Sequence, residues 1–98
     1  MASRSGLLDG LRALVVGGGG QGIGAAITEG IAAAGADVAV ADVDDARAAA
    51  AADSAAKYGH TVVPITADIR DPDSIERMVT TASQALGGLD VEIGRAHV

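Results

Sequence analysis

The sequence predicts an α/β fold, a parallel sheet with helices on both faces, built from about three and a half strand-helix units over 98 residues. Three observations lead there. Short apolar runs alternate with alanine-rich or amphipathic stretches at a steady rhythm. A glycine-rich segment, Gly17-Gly18-Gly19-Gly20-Gln21-Gly22-Ile23-Gly24, separates the first apolar run from the first helical stretch. Acids stand at the ends of the second and third runs, at Asp42 and Asp68.

Taken in order, Leu11-Arg12-Ala13-Leu14-Val15-Val16 is a short, mostly apolar run ended by glycines, the pattern of a strand buried on both faces of a parallel sheet. Residues 25–34 place Ile27 and Ile31 four apart among alanines, a helical spacing, and Gly35 supplies the stop. A second strand follows over Asp37–Asp42, then an alanine-rich helix over Asp44–Tyr58 with acids early and Lys57 late, which suits the helix dipole. Gly59 ends it. The β-branched run within His60–Ala67 reads as the third strand, and its Pro64 is better tolerated near a sheet edge than mid-sheet. Asp71-Pro72 offers an N-cap acceptor followed by proline at the first helical position, opening a helix with Ile75, Met78, Val79, Ala82 and Leu86 on one face. Gly87-Gly88 closes that helix, and a fourth strand is expected from Leu89.

Composition narrows the function classes. Apolar residues make up 49% of the chain with a single aromatic, Tyr58, so the core is assembled from Val, Ile, Leu and much Ala. Thirteen acidic against seven basic residues give a formal charge of -6 without a Lys/Arg cluster, which argues against partners such as nucleic acid or an anionic membrane surface. The absence of cysteine excludes disulfides and thiolate metal sites, and His60 and His97 have no ligand-spaced companions. Without an apolar run of membrane length or a signal-like start, the chain is expected to be cytoplasmic.

The glycine segment carries the functional signal, because a phosphate placed between a strand and the following helix meets the positive end of that helix. Glycines there permit a turn with positive φ, close approach of backbone N–H groups to a pyrophosphate, and tight packing of helix on strand. Two registers fit: Gly17, Gly19 and Gly22 match G-x-G-x-x-G, while Gly18, Gly22 and Gly24 match G-x-x-x-G-x-G. A linking turn without a ligand is the competing explanation. Against it stand the flanking strand and helix, and Asp42, which closes the second strand 18 residues beyond Gly24. That is near the spacing of about 20 residues at which an acid accepts hydrogen bonds from an adenosine ribose. A carboxylate there would repel a 2′-phosphate, the next residue is Val43, and the glycine segment has no Lys or Arg, so NAD is expected as cofactor ahead of NADP. Asp42 could instead cap the second helix, a task Asp44 could equally perform.

The second register, ending Gly22-Ile23-Gly24, resembles the cofactor fingerprint T-G-x-x-x-G-I-G of the short-chain dehydrogenases/reductases, with Gly17 where that family usually has threonine. The resemblance runs over about Leu11 to Val91 and implies a Rossmann-type nucleotide-binding sheet. It gives the loop residues Gly18, Gln21, Gly22, Ile23 and Gly24 to the cofactor's pyrophosphate side, and Asp42 and Val43 to the ribose side. Ala67-Asp68-Ile69 looks like the family's Asp-Val pair, so Asp68 inherits a hydrogen bond to the adenine amino group and Ile69 a place in the adenine pocket. The bland alternative for this pair is an ordinary strand-to-helix loop.

The resemblance also says what is missing. The family's fourth strand should run into Asn-Asn-Ala-Gly, but Glu92-Ile93-Gly94-Arg95-Ala96-His97-Val98 follows instead, and the catalytic serine and Tyr-x-x-x-Lys pair are absent. Read back as GAG ATC GGA AGA GCA CAC GTC, with TGA next, residues 92–98 reproduce the start of a widely used sequencing-library adapter and a stop. Residues 1–91 are thus expected to be the N-terminal half of a Rossmann NAD(P)-binding domain, and 92–98 a non-native tail. The resemblance implies a full-length parent that is a homo-oligomeric oxidoreductase, moving hydride between the dinucleotide and a small-molecule alcohol or ketone substrate. This chain would supply the cofactor-binding portion and no catalytic residue. Two other classes remain open: a non-catalytic dinucleotide-binding module, and an inert fragment with an unfinished sheet.

Overall fold

The computed structural model describes residues 6–17 and 23–94, and the backbone alone at Ile23. Its elements are β1 (Arg12–Val16), α1 (Ile23–Ala33), β2 (Asp37–Asp42), α2 (Asp45–Ala55) with a trailing 3₁₀ turn (Ala56–Tyr58), β3 (Val62–Thr66), α3 (Pro72–Leu86) and β4 (Val91–Gly94). The strands form one parallel sheet in the order β3-β2-β1-β4. Strand and helix therefore alternate as the sequence predicts.

The strand order has a consequence for the helices. From β1 through β2 to β3 the chain steps outward in one direction, then crosses back over β1 to lay down β4. Parallel crossovers are right-handed, so reversing the direction of travel must move the connecting helix to the opposite face. The packing agrees. Leu14, Val16, Ala39 and Ala41 point to one face and meet Met78 and Ala82 of α3. Val15, Val38 and Val40 point to the other, where they meet Ile27, Ile31 and Ala32 of α1 and Ala51 and Ala55 of α2. The alternation along each strand thus divides one sheet between two cores.

Alanine sets the spacing of these layers. In α2 the buried positions are Ala48, Ala52 and Ala55, a face of methyl groups that lets the helix lie close on the sheet. Leu14 and Met78 are the largest fully buried side chains, both on the α3 side. Helix α3 begins as expected: the Asp71 carboxylate accepts from the N–H of Asp73 at 3.0 Å with Pro72 in the first turn. It ends at Gly87, φ 78°, where the N–H groups of Gly87 and Gly88 both reach the Ser83 carbonyl.

Element starts shift by one or two residues from the sequence reading, and those of α1 and β4 have structural consequences. Helix α1 begins at Ile23 and so takes Gly24 into its first turn. Strand β4 begins at Val91, two residues after Leu89, because Asp90 is engaged elsewhere. Its carboxylate accepts from the Arg12 backbone N–H at 2.9 Å and from the Arg12 guanidinium at 3.1 and 3.0 Å, while its own N–H donates to the Arg12 carbonyl at 2.8 Å. Arg12 Nη1 also donates to the Gly87 carbonyl at 2.8 Å. This clasp delivers the chain from α3 to the start of β1, and the ladder opens one residue later, with Val91 opposite Ala13. Residues 92–94 continue that ladder opposite Leu14, Val15 and Val16, with the Glu92 side chain exposed on the sheet's outer strand.

Pro64 lies on β3, an edge strand, where half of the backbone N–H groups have no ladder partner to lose. At the opposite end of the sheet from the strand C-termini, the turn over residues 6–11 closes under α1. There the Leu8 N–H donates to the Ala34 carbonyl at 2.8 Å, and the Asp37 N–H to the Leu11 carbonyl at 2.9 Å.

Candidate cofactor site

Parallel strands with helical crossovers leave a crevice beyond their C-terminal ends, and ligands of such sheets bind there. In this chain a cleft of about 450 Å³ opens at that place. The end of β1 contributes Val16 and Gly17, the end of β2 Ala41, Asp42 and Val43, and the segment after β3 Ala67, Asp68, Ile69 and Arg70; Arg47 reaches in from α2. Of the residues singled out from sequence, Asp42, Val43, Asp68 and Ile69 are thus brought into one cleft, although they come from two separate crossover units.

Gly17 closes β1 with φ 78°, and its N–H donates to the Ala41 carbonyl at 2.7 Å, so the chain turns upward between the two strand ends. A side chain at Gly17 would meet no atom of the described residues within 4 Å. The positive φ is therefore what calls for glycine here. The loop positions Gly18, Gln21 and Gly22 lie outside the described residues, as does the Ile23 side chain. Gly24 is half-buried in the first turn of α1, where its carbonyl accepts from Thr28 Oγ1 at 3.0 Å.

Asp42 is buried at the cleft floor. It does not cap α2: Asp44 does, accepting from the Arg47 N–H at 3.1 Å. Asp42 instead accepts from the Asp44 N–H at 2.9 Å through Oδ1, which fixes the carboxylate while leaving its Oδ2 without a protein hydrogen bond among the described residues. Arg47 Nε lies 3.9 Å from Asp42 Oδ1 and 3.5 Å from Asp44 Oδ2. The guanidinium is thus shared between two carboxylates. Val43, with 59% of its surface exposed, and Ile69, with 41%, are apolar side chains presented to solvent at the cleft mouth, an arrangement suited to the faces of a flat ring.

Asp68 is held from several directions. Its backbone N–H donates to Ser74 Oγ at 2.9 Å, and its carbonyl accepts from the Asp71 N–H at 3.1 Å. Its carboxylate accepts from the Arg70 backbone N–H and Nε at Oδ1, both at 3.0 Å, and from Arg70 Nη2 at Oδ2, at 3.1 Å. These hydrogen bonds hold the Asp68 carboxyl below the usual carboxylate range.

Arg47 and Arg70 are the cleft residues that sequence reasoning passed over. A basic neighbour was sought next to Asp42 and in the glycine segment, whereas Arg47 arrives one helical turn after its cap and Arg70 arrives through a turn closed by Asp68. A signal was present for each: an acid at an i,i+3 or i,i+2 offset in a strand-to-helix connection. Among the described residues no group of three or more His, Asp or Glu side chains is placed to hold a metal, and no helix is long and apolar enough to cross a membrane.

Comparison with known proteins agrees with this geometry. Residues 12–96 match the short chain dehydrogenase family. A 1-deoxy-11-beta-hydroxypentalenate dehydrogenase from Streptomyces exfoliatus is 46% identical over 88 residues, which is 89% of this chain and 32% of that protein. An uncharacterized oxidoreductase from Thermotoga maritima is 35% identical over 92 residues, 94% of this chain and 36% of its own length. Among solved structures, a dehydrogenase/reductase from Sinorhizobium meliloti 1021 superposes with a TM-score of 0.85 at 41% identity, covering 99% of this chain and 38% of that one. A hydroxysteroid dehydrogenase from Escherichia coli gives 0.85 at 28% identity, covering 95% and 38%. The chain spans about a third of the length of these relatives. On sequence match and fold together, the chain belongs to the short-chain dehydrogenase/reductase family.

Proposed function

We propose that this chain forms the adenosine-binding side of the cofactor site of an NAD-dependent oxidoreductase. The observation that carries the reading is the cleft itself, in which Asp42, Val43, Asp68 and Ile69 converge from the ends of neighbouring strands. Its volume of about 450 Å³ falls in the range of small-molecule and cofactor sites. The fixed Asp42 carboxylate, whose Oδ2 has no hydrogen bond among the described residues, suits the two hydroxyls of a ribose. Val43 and Ile69 offer apolar walls to the base, and the Asp68 carboxylate offers an acceptor for its amino group. Gly18, Gln21, Gly22, Ile23 and Gly24 are assigned to the pyrophosphate, where the N-terminus of α1 favours negative charge.

The arginines do not reverse the preference for NAD over NADP. Arg47 stands between the Asp42 and Asp44 carboxylates and is outnumbered by them, so a 2′-phosphate would meet local negative charge. When bound, the nicotinamide supplies hydride chemistry; this chain's residues hold and orient its far end. Tyr58 is not a substitute for a catalytic tyrosine. It follows α2, which runs antiparallel to the strands, and so lies at the end of the sheet away from the cleft, with Lys57 Nζ 5.3 Å from its ring centre. The reading extends to a cytoplasmic, homo-oligomeric parent acting on a small-molecule alcohol or ketone, with residues 1–91 as the domain's N-terminal half and 92–98 as a non-native tail.

The test is a titration of the 98-residue chain with NAD and with NADP, followed by backbone amide NMR. Shifts at Gly17, Val43 and Ile69 at millimolar NAD, weaker with NADP, are expected. A folded sample that responds to neither cofactor refutes the reading.

A further inference from the structure

Asp68 is held more tightly than an acceptor needs to be. A carboxylate offers about four lone-pair directions. At Oδ1 two are taken by the Arg70 N–H and Nε, and at Oδ2 one is taken by Nη2. Among the described residues one direction is left without a hydrogen bond, on Oδ2. The backbone on either side is fixed as well, through Ser74 Oγ and the Asp71 N–H. The carboxylate therefore cannot turn to present a different oxygen without breaking the two-point contact with the guanidinium, whose planar fork matches a carboxylate in a single geometry. Arg70 itself is 83% exposed along its side chain and lines the same cleft. An arginine so open to solvent contributes little to folding through an ion pair, and its effect falls instead on where the last acceptor of Asp68 points.

We propose that Arg70 is a positioning residue for base selection: by occupying three acceptor directions of Asp68 it leaves one, aimed into the cleft, that accepts a single N–H and so favours a 6-amino purine over a 6-oxo purine. The inference rests on the reading of the cleft as an adenosine site. A 6-oxo base would set its carbonyl oxygen against the remaining carboxylate oxygen, acceptor against acceptor. If Arg70 is removed, the carboxylate gains rotational freedom and water, and the penalty for the wrong base falls. Lysine at the same place would keep the positive charge but lose the fork.

The experiment compares binding of NAD and nicotinamide hypoxanthine dinucleotide to the 98-residue chain and to its R70A and R70K variants. For the unaltered chain a preference for NAD of about tenfold or more is expected, the effect of one hydrogen bond to a charged acceptor. In R70A the preference should fall to within about threefold of unity, and in R70K it should fall similarly while NAD affinity itself changes little. A merely structural role would move both dinucleotides together and leave the ratio alone. NAD binding with a ratio unchanged or raised in R70A overturns the role of Arg70 and leaves the adenosine reading standing. Absence of NAD binding to the folded chain overturns both.

Discussion

Truncating Leu14 to alanine tests how this alanine-rich core is held together. Leu14 is fully buried at the centre of β1, paired with Ala39 on one side and opposite Glu92 on the other, and it faces Met78 and Ala82 of α3. The change removes three carbon atoms, worth about 2.4 kcal/mol at roughly 0.8 kcal/mol per buried group. A cavity adds to that cost in proportion to how poorly the neighbours relax. Here Ala39, Ala41, Ala67 and Ala82 surround the site, and a methyl group has no rotamer with which to fill a void. The expected loss is accordingly about 3–4 kcal/mol, above the transfer cost alone and within the range for such substitutions. A chain of this size has roughly 5–15 kcal/mol to lose and a urea dependence of about 1–1.5 kcal/mol per molar, so the midpoint should fall by about 2–4 M. Urea unfolding followed by far-ultraviolet circular dichroism measures it. A shift under about 0.5 M with an unchanged slope would refute the packing argument, since it would mean that Met78 and the other α3 side chains refill the space Leu14 leaves.

Three further outcomes follow from the same geometry. Arg12 holds the Asp90 carboxyl below its ordinary value, chiefly through its side-chain hydrogen bonds, so this pair contributes stability at pH values above the carboxylate's unfolded pKa and loses it as pH falls through the lower folded value. D90N should therefore flatten the acid limb of thermal stability between about pH 5 and pH 2, and an unchanged limb in that variant would contradict the clasp. Gly35 has φ 113°, and a Cβ there would strike the Asp9 carboxylate and lie 3.1 Å from the Asp9 N–H, whereas Gly59, φ 86°, has open space around it. Gly35→Ala should then cost about 1 kcal/mol or more beyond Gly59→Ala in denaturant unfolding, because it adds a collision to the shared backbone strain; equal costs would show that the residue 6–11 turn simply moves aside. Asp42→Ala should weaken NAD binding about tenfold or more by removing a charged acceptor and narrow the gap to NADP, as read by calorimetric titration. Retention of both affinities would remove Asp42 from the ribose site.

The elements and the site were legible to different depths. Apolar runs, glycine stops and the Asp71-Pro72 start are local signals, and each strand and helix falls where they place it to within a few residues. Asp42 and Asp68 were legible for a related reason: both stand at strand ends, and in a parallel sheet all strand ends of one polarity share one edge. The departure at β4 has a non-local cause. Asp90 turns back to Arg12, 78 residues earlier, and no pattern around Leu89 encodes that engagement.

The sequence by itself determined the alternation of strand and helix, the parallel sheet, and the acids at the cleft, because hydrophobic period, capping chemistry and chain polarity act over a few residues at a time. Tertiary structure decided the rest. The return across β1 that sends α3 to the second face depends on which strand finds which edge. The two arginines pair with acids close to them in sequence, but it is the convergence of the strand ends that puts both pairs in one cleft. Charge at the site was therefore read incompletely from the linear chain, which shows acids at the strand ends, while the folded one shows each of them beside a guanidinium.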